Sequence, residues 1–291
     1  MAAQQQLGHK LLGGVGVNAG VQSEPGLYIL DRFLRYGAHE IKDRNGDPVP
    51  VPGLDIDAVG NLVGLSVTIK PERSPYFSMA AGVPIARVTV NSDLPQASID
   101  RSGIGDAFVQ PLKIGFKDRH FDVVALYTFY APTGKFEPRG SGVGRGYWTH
   151  QLSLGGALFP ALDRRWRASV LASYDMNGWK RGIDIKRGNS AQIQGGAGLT
   201  VFQVVMVGVA GFALWQVTDD QGADIPVALR DLRTRVFGLG PELAVALPPL
   251  NLYAELRYEH EFGTRSRPEG NVLVAGLSYR AWRPRGKDST N

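Results

Sequence analysis

The chain has no cysteine among its 291 residues, so it can form neither a disulfide framework nor a thiolate metal site. Histidine is scarce, with five residues, and no two of them stand at the spacing of a metal-binding pair. No apolar run reaches the roughly 20 residues that a membrane-spanning helix needs. The most apolar run, VVMVGVAGFALW at residues 204–215, is short and rich in Val, whose branched side chain favours strands. We therefore predict a strand there, and we expect no metal and no cofactor.

The sequence also lacks a strong excess of either positive or negative charge. Lys and Arg total 32 against 27 Asp and Glu, which gives a net charge of +5. The basic residues are scattered or lie in Gly/Pro-rich segments such as GWKRGIDIKRG, and none of them forms a basic amphipathic helix, so we expect no nucleic-acid partner. Glycine is abundant, at 37 residues, and together with 18 prolines it argues against a helical protein.

Apolar and polar side chains alternate with a period of two along most of the chain, which predicts strands. In LNLYAELRYEHEF, for example, one face carries Leu252, Ala254, Leu256 and Tyr258, and the other carries Glu255, Arg257, Glu259 and Glu261. The alternating segments are on the order of 10–15 residues long, which exceeds the usual strand and suits a tilted strand that crosses a bilayer. We predict about twelve such strands, near residues 27–36, 56–70, 77–91, 104–117, 121–132, 147–160, 166–177, 191–202, 204–217, 233–247, 250–262 and 271–282.

The connections between these segments alternate in length. Short links occur at 71–75, 117–120, 160–165 and 248–249, with a tight turn near Gln203. Long polar loops occur at 37–55, 92–103, 133–146, 178–190, 218–232 and 263–270. Short turns at one end and long loops at the other are typical of an outer-membrane barrel. The sequence therefore predicts an all-β fold: a closed antiparallel transmembrane β-barrel of about twelve strands, with short periplasmic turns and long extracellular loops. A soluble two-sheet sandwich is the competing β fold.

Three regions follow from this pattern: an N-terminal segment (1–26), the barrel (27–282) and a C-terminal tail (283–291). Between residues 8 and 26 the only Lys, Arg, Asp or Glu residues are Lys10 and Glu24, whereas disordered tails are usually polar and charged. We predict that this segment packs in the lumen and constricts it. The alternatives are an extra edge of the first strand and a free tail. The constriction candidates are Leu11, Leu12, Val15 and Val17.

Charged residues at strand centres are candidates for lining the pore. Each would cost about 2–4 kcal/mol if it faced lipid near the bilayer midplane, so we expect them to face the lumen. Inward ion pairs that only stiffen the barrel are an equal alternative. The candidates are Arg87, Lys113, Arg167, Asp175, Glu242, Glu255, Arg257 and Glu259.

His150 and Ser153 are candidates for an enzymatic site, because some outer-membrane barrels are hydrolases. Two residues that are three apart on a strand point to opposite faces, whereas a nucleophile and its base must share one. We therefore expect no catalytic residue.

Several phrases of the chain resemble one known family in the same order from about residue 8 to about residue 282. They include GLYILDRFLRYGAHEIKDRNGDPVPVPGLDID, GIGDAFVQPLKIGF, FYAPTGKFEP, GRGYWTHQLSLGGALF, YDMNGWKRGIDIKRG, FALWQVTDDQGA and GLGPELAVALP. The family is the outer-membrane channel family labelled "MetA-pathway of phenol degradation". The resemblance implies a 12-stranded barrel that admits hydrophobic or aromatic nutrients, and it carries over no catalytic residues.

The expected function is passive uptake of small hydrophobic or aromatic compounds across a Gram-negative outer membrane. The alternatives are a general small-solute channel that prefers anions, an outer-membrane enzyme and a structural or adhesion barrel. The expected partners are outer-membrane lipid, lipopolysaccharide and the solutes, and a monomer is favoured. MAAQQQLGHKLLGG lacks the pattern of a signal peptide, so either the protein is cytosolic or the sequence begins at the mature end of an exported protein. The barrel pattern of the remaining chain favours the second.

Overall fold

The structure is a computed structural model that describes residues 12–94, 98–137 and 142–284. Leu11, one of the constriction candidates, lies outside the described residues, as does all of the predicted tail beyond residue 284. Among the described residues, no helix is long and apolar enough to cross a membrane.

The described part of the chain folds into strands and two short 3₁₀ turns. The strands are β1 (Gly26–Lys42), β2 (Pro48–Val49), β3 (Asp55–Ile69), β4 (Tyr76–Asn91), β5 (Ile99–Ile104), β6 (Ala107–Lys117), β7 (Phe121–Ala131), β8 (Thr149–Leu158), β9 (Trp166–Asn177), β10 (Ser190–Val201), β11 (Val205–Gln216), β12 (Arg235–Leu247), β13 (Leu252–Arg265) and β14 (Arg267–Trp282). The 3₁₀ turns are Val227–Leu229 and Pro248–Leu250.

Twelve of these strands close into one antiparallel barrel. Each long strand pairs with the next along the chain, and β14 pairs with β1, so that no long strand is left with a free edge. The two short strands, β2 and β5, pair with β1 and β4 inside the long loops and add nothing to the closure. The predicted barrel of about twelve strands is confirmed, and the Val-rich run at 204–215 forms β11. Closure also satisfies the backbone polar groups that lipid cannot solvate.

The predicted asymmetry of the connections holds, with one correction. Turns of a few residues join β3 to β4, β6 to β7, β8 to β9, β10 to β11 and β12 to β13, at the end where β1 begins. The predicted long loop at 263–270 is wrong, because β13 and β14 continue as a hairpin that turns at Ser266. Its polar residues are hydrogen-bonded inward, since Glu261 accepts from the Arg267 guanidinium (3.0 Å) and from the backbone N–H of Gly270 (3.1 Å).

The turn between β10 and β11 has no usual turn residue. Phe202 and Gln203 both have positive φ, at 49° and 62°, and the Val204 N–H donates to the Val201 carbonyl at 3.3 Å. Two consecutive left-handed residues give a tight hairpin turn that normally selects Asn-Gly. The alternation of the flanking strands therefore fixes this hairpin more than its own turn does.

The outer surface of the barrel is apolar, and its interior holds many polar and charged side chains beside apolar ones. Large apolar side chains point outward and are exposed on almost every long strand, among them Leu65, Met79, Ile85, Leu154, Val170, Ile193, Val209 and Leu256. Exposed Trp166 and Trp282 lie near the short-turn end, and Trp148 and Trp179 lie near the long-loop end, where the two membrane interfaces would be. The short-turn end is periplasmic by the same rule.

Candidate functional site in the barrel lumen

The described part of the N-terminal segment, residues 12–25, runs back from the start of β1 into the lumen. Close to the short-turn end, the N–H of Gln22 donates to the carboxylate of Asp122 at 3.0 Å. The ammonium of Lys113 donates to the carbonyl of Val21 at 3.2 Å. The backbone of the segment is therefore hydrogen-bonded to β6 and β7 near the short-turn end, and the segment continues from there toward the long-loop end.

In the middle of the lumen, the segment bridges two walls. The N–H of Val17 donates to the carboxylate of Glu242 on β12 at 2.9 Å, and the hydroxyl of Ser169 on β9 donates to the Val17 carbonyl at 2.6 Å. The guanidinium of Arg167 donates to the side-chain oxygen of Asn18, also at 2.6 Å. Higher up, the N–H of Val15 donates to Gln194 on β10 at 3.3 Å. Residues 12–22 thus span the lumen and contact strands on opposite sides.

Glycines make this close packing possible. An added Cβ at Gly16 would lie 1.8 Å from a Glu242 oxygen and 1.9 Å from an Arg257 nitrogen. One at Gly20 would lie 2.1 Å from the carbonyl oxygen of Gly156. Val17 is fully buried, and three wall glycines leave the space it fills. These are Gly196, Gly198 and Gly208, where an added Cβ would lie 3.0–3.1 Å from the Val17 side chain.

A group of charged side chains centred on β13, with one member each from β12 and β1, faces the N-terminal segment. Arg257 is 1% exposed, and its guanidinium donates to Glu242 at 3.2 Å. It also lies 3.8 Å from an oxygen of Glu255 and 3.8 Å from one of Glu259. Glu255 in turn accepts from Arg32 of β1 at 2.8 Å. We call these five side chains the charge ladder.

The other sequence-derived candidates divide between the two faces of the wall. Asp175 is buried inside and accepts from Gln151 (2.5 Å) and Gln192 (2.8 Å), while Lys113 and Arg167 contact the N-terminal segment. Arg87 is the exception: it lies on the outer face of β4 and pairs at 2.6 Å with exposed Asp100 of β5. The expected lumen position of Arg87 is wrong, because β4 continues past the apolar belt and pairs there with β5, so an outward charge need not meet lipid.

The lumen has two unlike walls. The apolar wall, which spans β1, β3, β11, β12 and β14 and includes Leu12 of the segment, consists of Leu12, Leu34, Tyr36, Ala38, Leu54, Ile56, Ala58, Phe212, Leu214, Val236, Val272 and Val274. The polar wall, on β7 to β10, consists of the buried residues Thr128, Thr149, Gln151, Ser153, Ser173, Asp175, Gln192 and Gln194. A solute in this lumen would meet apolar side chains on one side and hydrogen-bonding groups on the other.

A cluster of cations stands in the extracellular loops. Lys180, between β9 and β10, is 8% exposed and lies over the rings of Phe136 and Tyr147 at 5.6 and 5.8 Å. Burial, together with the nearby charges of Arg187 and Arg145, lowers the pKa of its ammonium to about 7. The Lys180 ammonium therefore titrates near neutral pH.

The residues weighed for hydrolysis stay apart. His150 is exposed on the outer face and lies 2.7 Å from the hydroxyl of Tyr127, whereas Ser153 is buried inside and donates to the Ser173 hydroxyl at 2.8 Å. Among the described residues, no group of three His, Cys, Asp or Glu side chains is placed to hold a metal ion.

Sequence reasoning missed four residues that hold the segment or belong to the charge ladder, which are Arg32, Asp122, Ser169 and Gln194, and it missed the buried carboxylate of Glu261. Glu261 shared the face of Glu255 and Glu259 in the alternation, so its position was available from the pattern. Asp122 stands one residue after a turn, where a carboxylate normally faces water. Only the fold shows that a segment far away in sequence returns to it.

Comparisons with known proteins agree with this architecture. A family model described as "Putative MetA-pathway of phenol degradation" matches residues 38–277. No curated protein matches the chain by sequence. The COG4313 outer membrane channel from Pseudomonas putida F1 is similar in structure, with a TM-score of 0.78 and 12% identity over 90% of this chain and 97% of that one.

Two autotransporter barrels are less similar. The transport unit of AIDA-I from Escherichia coli has a TM-score of 0.51 and 11% identity, over 89% of this chain and 90% of that one. The translocator domain of NalP from Neisseria meningitidis has a TM-score of 0.51 and 14% identity, with the same coverages. At these identities the likeness shows a shared outer-membrane barrel fold.

Proposed function

The chain belongs to the family described by the phenol-degradation model, and we propose that it is an outer-membrane channel for passive uptake of small hydrophobic or aromatic compounds. The observation that carries this proposal is the apolar wall inside the barrel. A channel for hydrophilic solutes has no need of an apolar surface of this extent within its lumen, where burying polar solutes against it costs free energy. An aromatic solute gains by leaving water for that wall.

The N-terminal segment is the constriction in this proposal. Leu12, Val15 and Val17 fill the lumen, and the charge ladder lines the path beside them. Most of the contacts that hold the segment are single hydrogen bonds between its backbone groups and wall side chains, each worth about 0.5–1.5 kcal/mol net, or about 1.5–3 with a charged partner. Partial withdrawal of the segment would open a path with no energy source other than the solute gradient.

The proposed location is the outer membrane of a Gram-negative bacterium. The apolar outer belt would contact lipid, and the exposed charges on the outer face of β1, β3 and β4, such as Arg35 and Arg87, would reach the level of the lipopolysaccharide headgroups. We propose a monomer, since the closed barrel needs no partner strand.

One observation favours a second candidate, a general channel that prefers anions. The cation cluster around Lys180 would attract anions toward the mouth. In that case small hydrophilic anions would cross faster than aromatic compounds of the same size.

Uptake by cells separates the two candidates. We expect a porin-deficient Gram-negative host that produces this protein to accumulate labelled 4-propylphenol faster than the same host without it, because the barrel bypasses the lipopolysaccharide leaflet. A labelled hydrophilic acid of similar mass measures the second candidate in the same cells. If the protein raises the uptake rate of the acid more than that of the phenol, the aromatic-uptake proposal fails and the anion channel takes its place.

A further inference from the structure

We propose that Arg257 and Glu259 form a recognition site for the hydroxyl group of an otherwise apolar solute. The site rests on the proposed function and specifies the substrate class: apolar compounds that carry one hydroxyl group, in preference to plain hydrocarbons and to carboxylates.

The first observation is the hydrogen bonding of Glu259. Its side chain is 0% exposed, yet within the described part of the chain neither carboxylate oxygen has a hydrogen-bond donor. Among the described residues, the nearest cationic group is Nε of Arg257 at 3.8 Å, which is too long for a hydrogen bond. Nε and Nη2 of Arg257 also have no acceptor among the described residues. An acceptor and a donor thus face each other without bonding.

The next inward residue on the same strand, Glu261, is a buried carboxylate whose hydrogen bonds are satisfied. Glu261 is equally buried and accepts from the Tyr36 hydroxyl at 3.0 Å, the Arg267 guanidinium at 3.0 Å and the Gly270 N–H at 3.1 Å. The barrel can therefore satisfy a buried carboxylate at this level. Glu259 is left with unused hydrogen-bonding capacity, as expected of a group that a solute completes.

The pair selects a hydroxyl group by its chemistry. A hydroxyl both donates and accepts, so one hydroxyl can donate to Glu259 and accept from Arg257. A solute carboxylate would be repelled by Glu259 and Glu242. A hydrocarbon would leave both groups unpaired, and buried polar groups without partners are costly.

The apolar part of the solute has a surface next to this pair. Across the wall, Glu259 pairs with Val272 of β14, and Val272 pairs with Tyr36 of β1. One level nearer the short-turn end, Arg257 pairs with Val274, which pairs with Leu34. All four apolar residues are buried in the apolar wall. The hydroxyl site therefore stands at the edge of the surface that would hold the ring or alkyl chain.

The N-terminal segment covers the site. An added Cβ at Gly13 would lie 2.0 Å from a Glu259 oxygen and 3.5 Å from the Val272 side chain. The solute and residues near Gly13 thus compete for one place. A hydroxyl that completes Glu259 favours the withdrawn segment, because a ligand shifts an equilibrium by its differential affinity for the two states. Binding of the solute hydroxyl and withdrawal of the N-terminal segment are then coupled.

The test compares two labelled solutes that differ in one group, 4-propylphenol and 4-propyltoluene, in the uptake assay described above. Rates in host cells without the protein are subtracted for each solute. We expect the phenol-to-toluene ratio of the remaining rates to fall about tenfold in Glu259→Met, which is the loss of about one hydrogen bond to a charged group. Glu259→Gln keeps an acceptor oxygen and should restore part of the ratio.

His260→Gln is the matched control, because His260 is the next residue on β13 and points to the outer face. It should leave the ratio unchanged. Heat-modifiable migration on gels verifies that each barrel is folded before its rates are compared. An unchanged ratio in folded Glu259→Met would overturn the hydroxyl site while leaving the channel proposal intact. Uptake of neither solute by the wild-type protein would overturn the channel proposal itself.

Discussion

Deletion of residues 2–22 should raise the single-channel conductance severalfold while the barrel stays folded. The segment from Leu12 to Gln22 crosses the lumen and is bonded to β6, β7, β9, β10 and β12, so its removal leaves an open path. A barrel of about twelve strands is wider than the side-chain-filled barrels of about eight, so the wall alone does not close it. The barrel strands pair with one another and not with the segment, so folding should survive.

Conductance in planar bilayers measures this effect, with heat-modifiable migration and circular dichroism as the controls for folding. Unchanged conductance in a folded deletion variant would show that the segment does not limit the path. Loss of folding would instead show that the segment is part of the barrel core.

Replacement of Arg257 by Met should lower the free energy of unfolding by about 3–5 kcal/mol, the usual cost of leaving a buried charge without its partner. The Arg257 guanidinium is fully buried and lies within 4 Å of Glu242, Glu255 and Glu259. Without it, Glu242 and Glu259 lose the nearest cation of the charge ladder. Equilibrium unfolding in urea, followed by tryptophan fluorescence, measures the loss.

Arg87→Met is the matched control for that experiment. Arg87 also forms an ion pair, but its side chain and that of Asp100 are 65% and 54% exposed, and exposed pairs contribute little. The double variant Arg257→Met with Glu242→Gln should recover part of the loss, because it removes one of the uncompensated charges. Equal losses for the two single variants would refute a buried ladder.

The barrel could be predicted from the sequence because its two strongest signals are local. Alternation with a period of two, as along residues 252–262, gives both the strand and its inward face. Composition alone was misleading at 263–270, where Arg, Ser, Pro and Gly read as a loop. Those residues instead belong to a hairpin whose charged side chains are hydrogen-bonded within the barrel.

The partners of the inward charges could not be predicted, because they depend on the strand register. Glu242 meets Arg257 only because these two residues are paired across β12 and β13. Alternation puts each on the inner face and says nothing of the pairing. Arg87 shows a second limit of sequence-based prediction. The alternating pattern does not mark where a strand leaves the membrane, so an outward charge beyond the apolar belt was predicted to face inward.

The contacts of the N-terminal segment are even harder to predict from the sequence. Its low charge indicated that it packs against an apolar surface, but the hydrogen bond from Val17 to Glu242 joins residues 225 positions apart. Such contacts depend on the closed barrel being in place first.

A reversible lock on the segment tests the central claim, uptake through the barrel controlled by residues 12–22, most directly. In a double variant, Val17→Cys with Gly198→Cys, the new thiols would lie next to each other, because a Cβ built on Gly198 is 3.1 Å from the Val17 side chain. The chain has no other cysteine, so any disulfide formed within it reports on this pair. We predict that uptake of labelled 4-propylphenol falls to the host background when the variant is oxidised and returns when a reductant is added. Uptake by the fully oxidised variant at the rate of the reduced one would contradict the account.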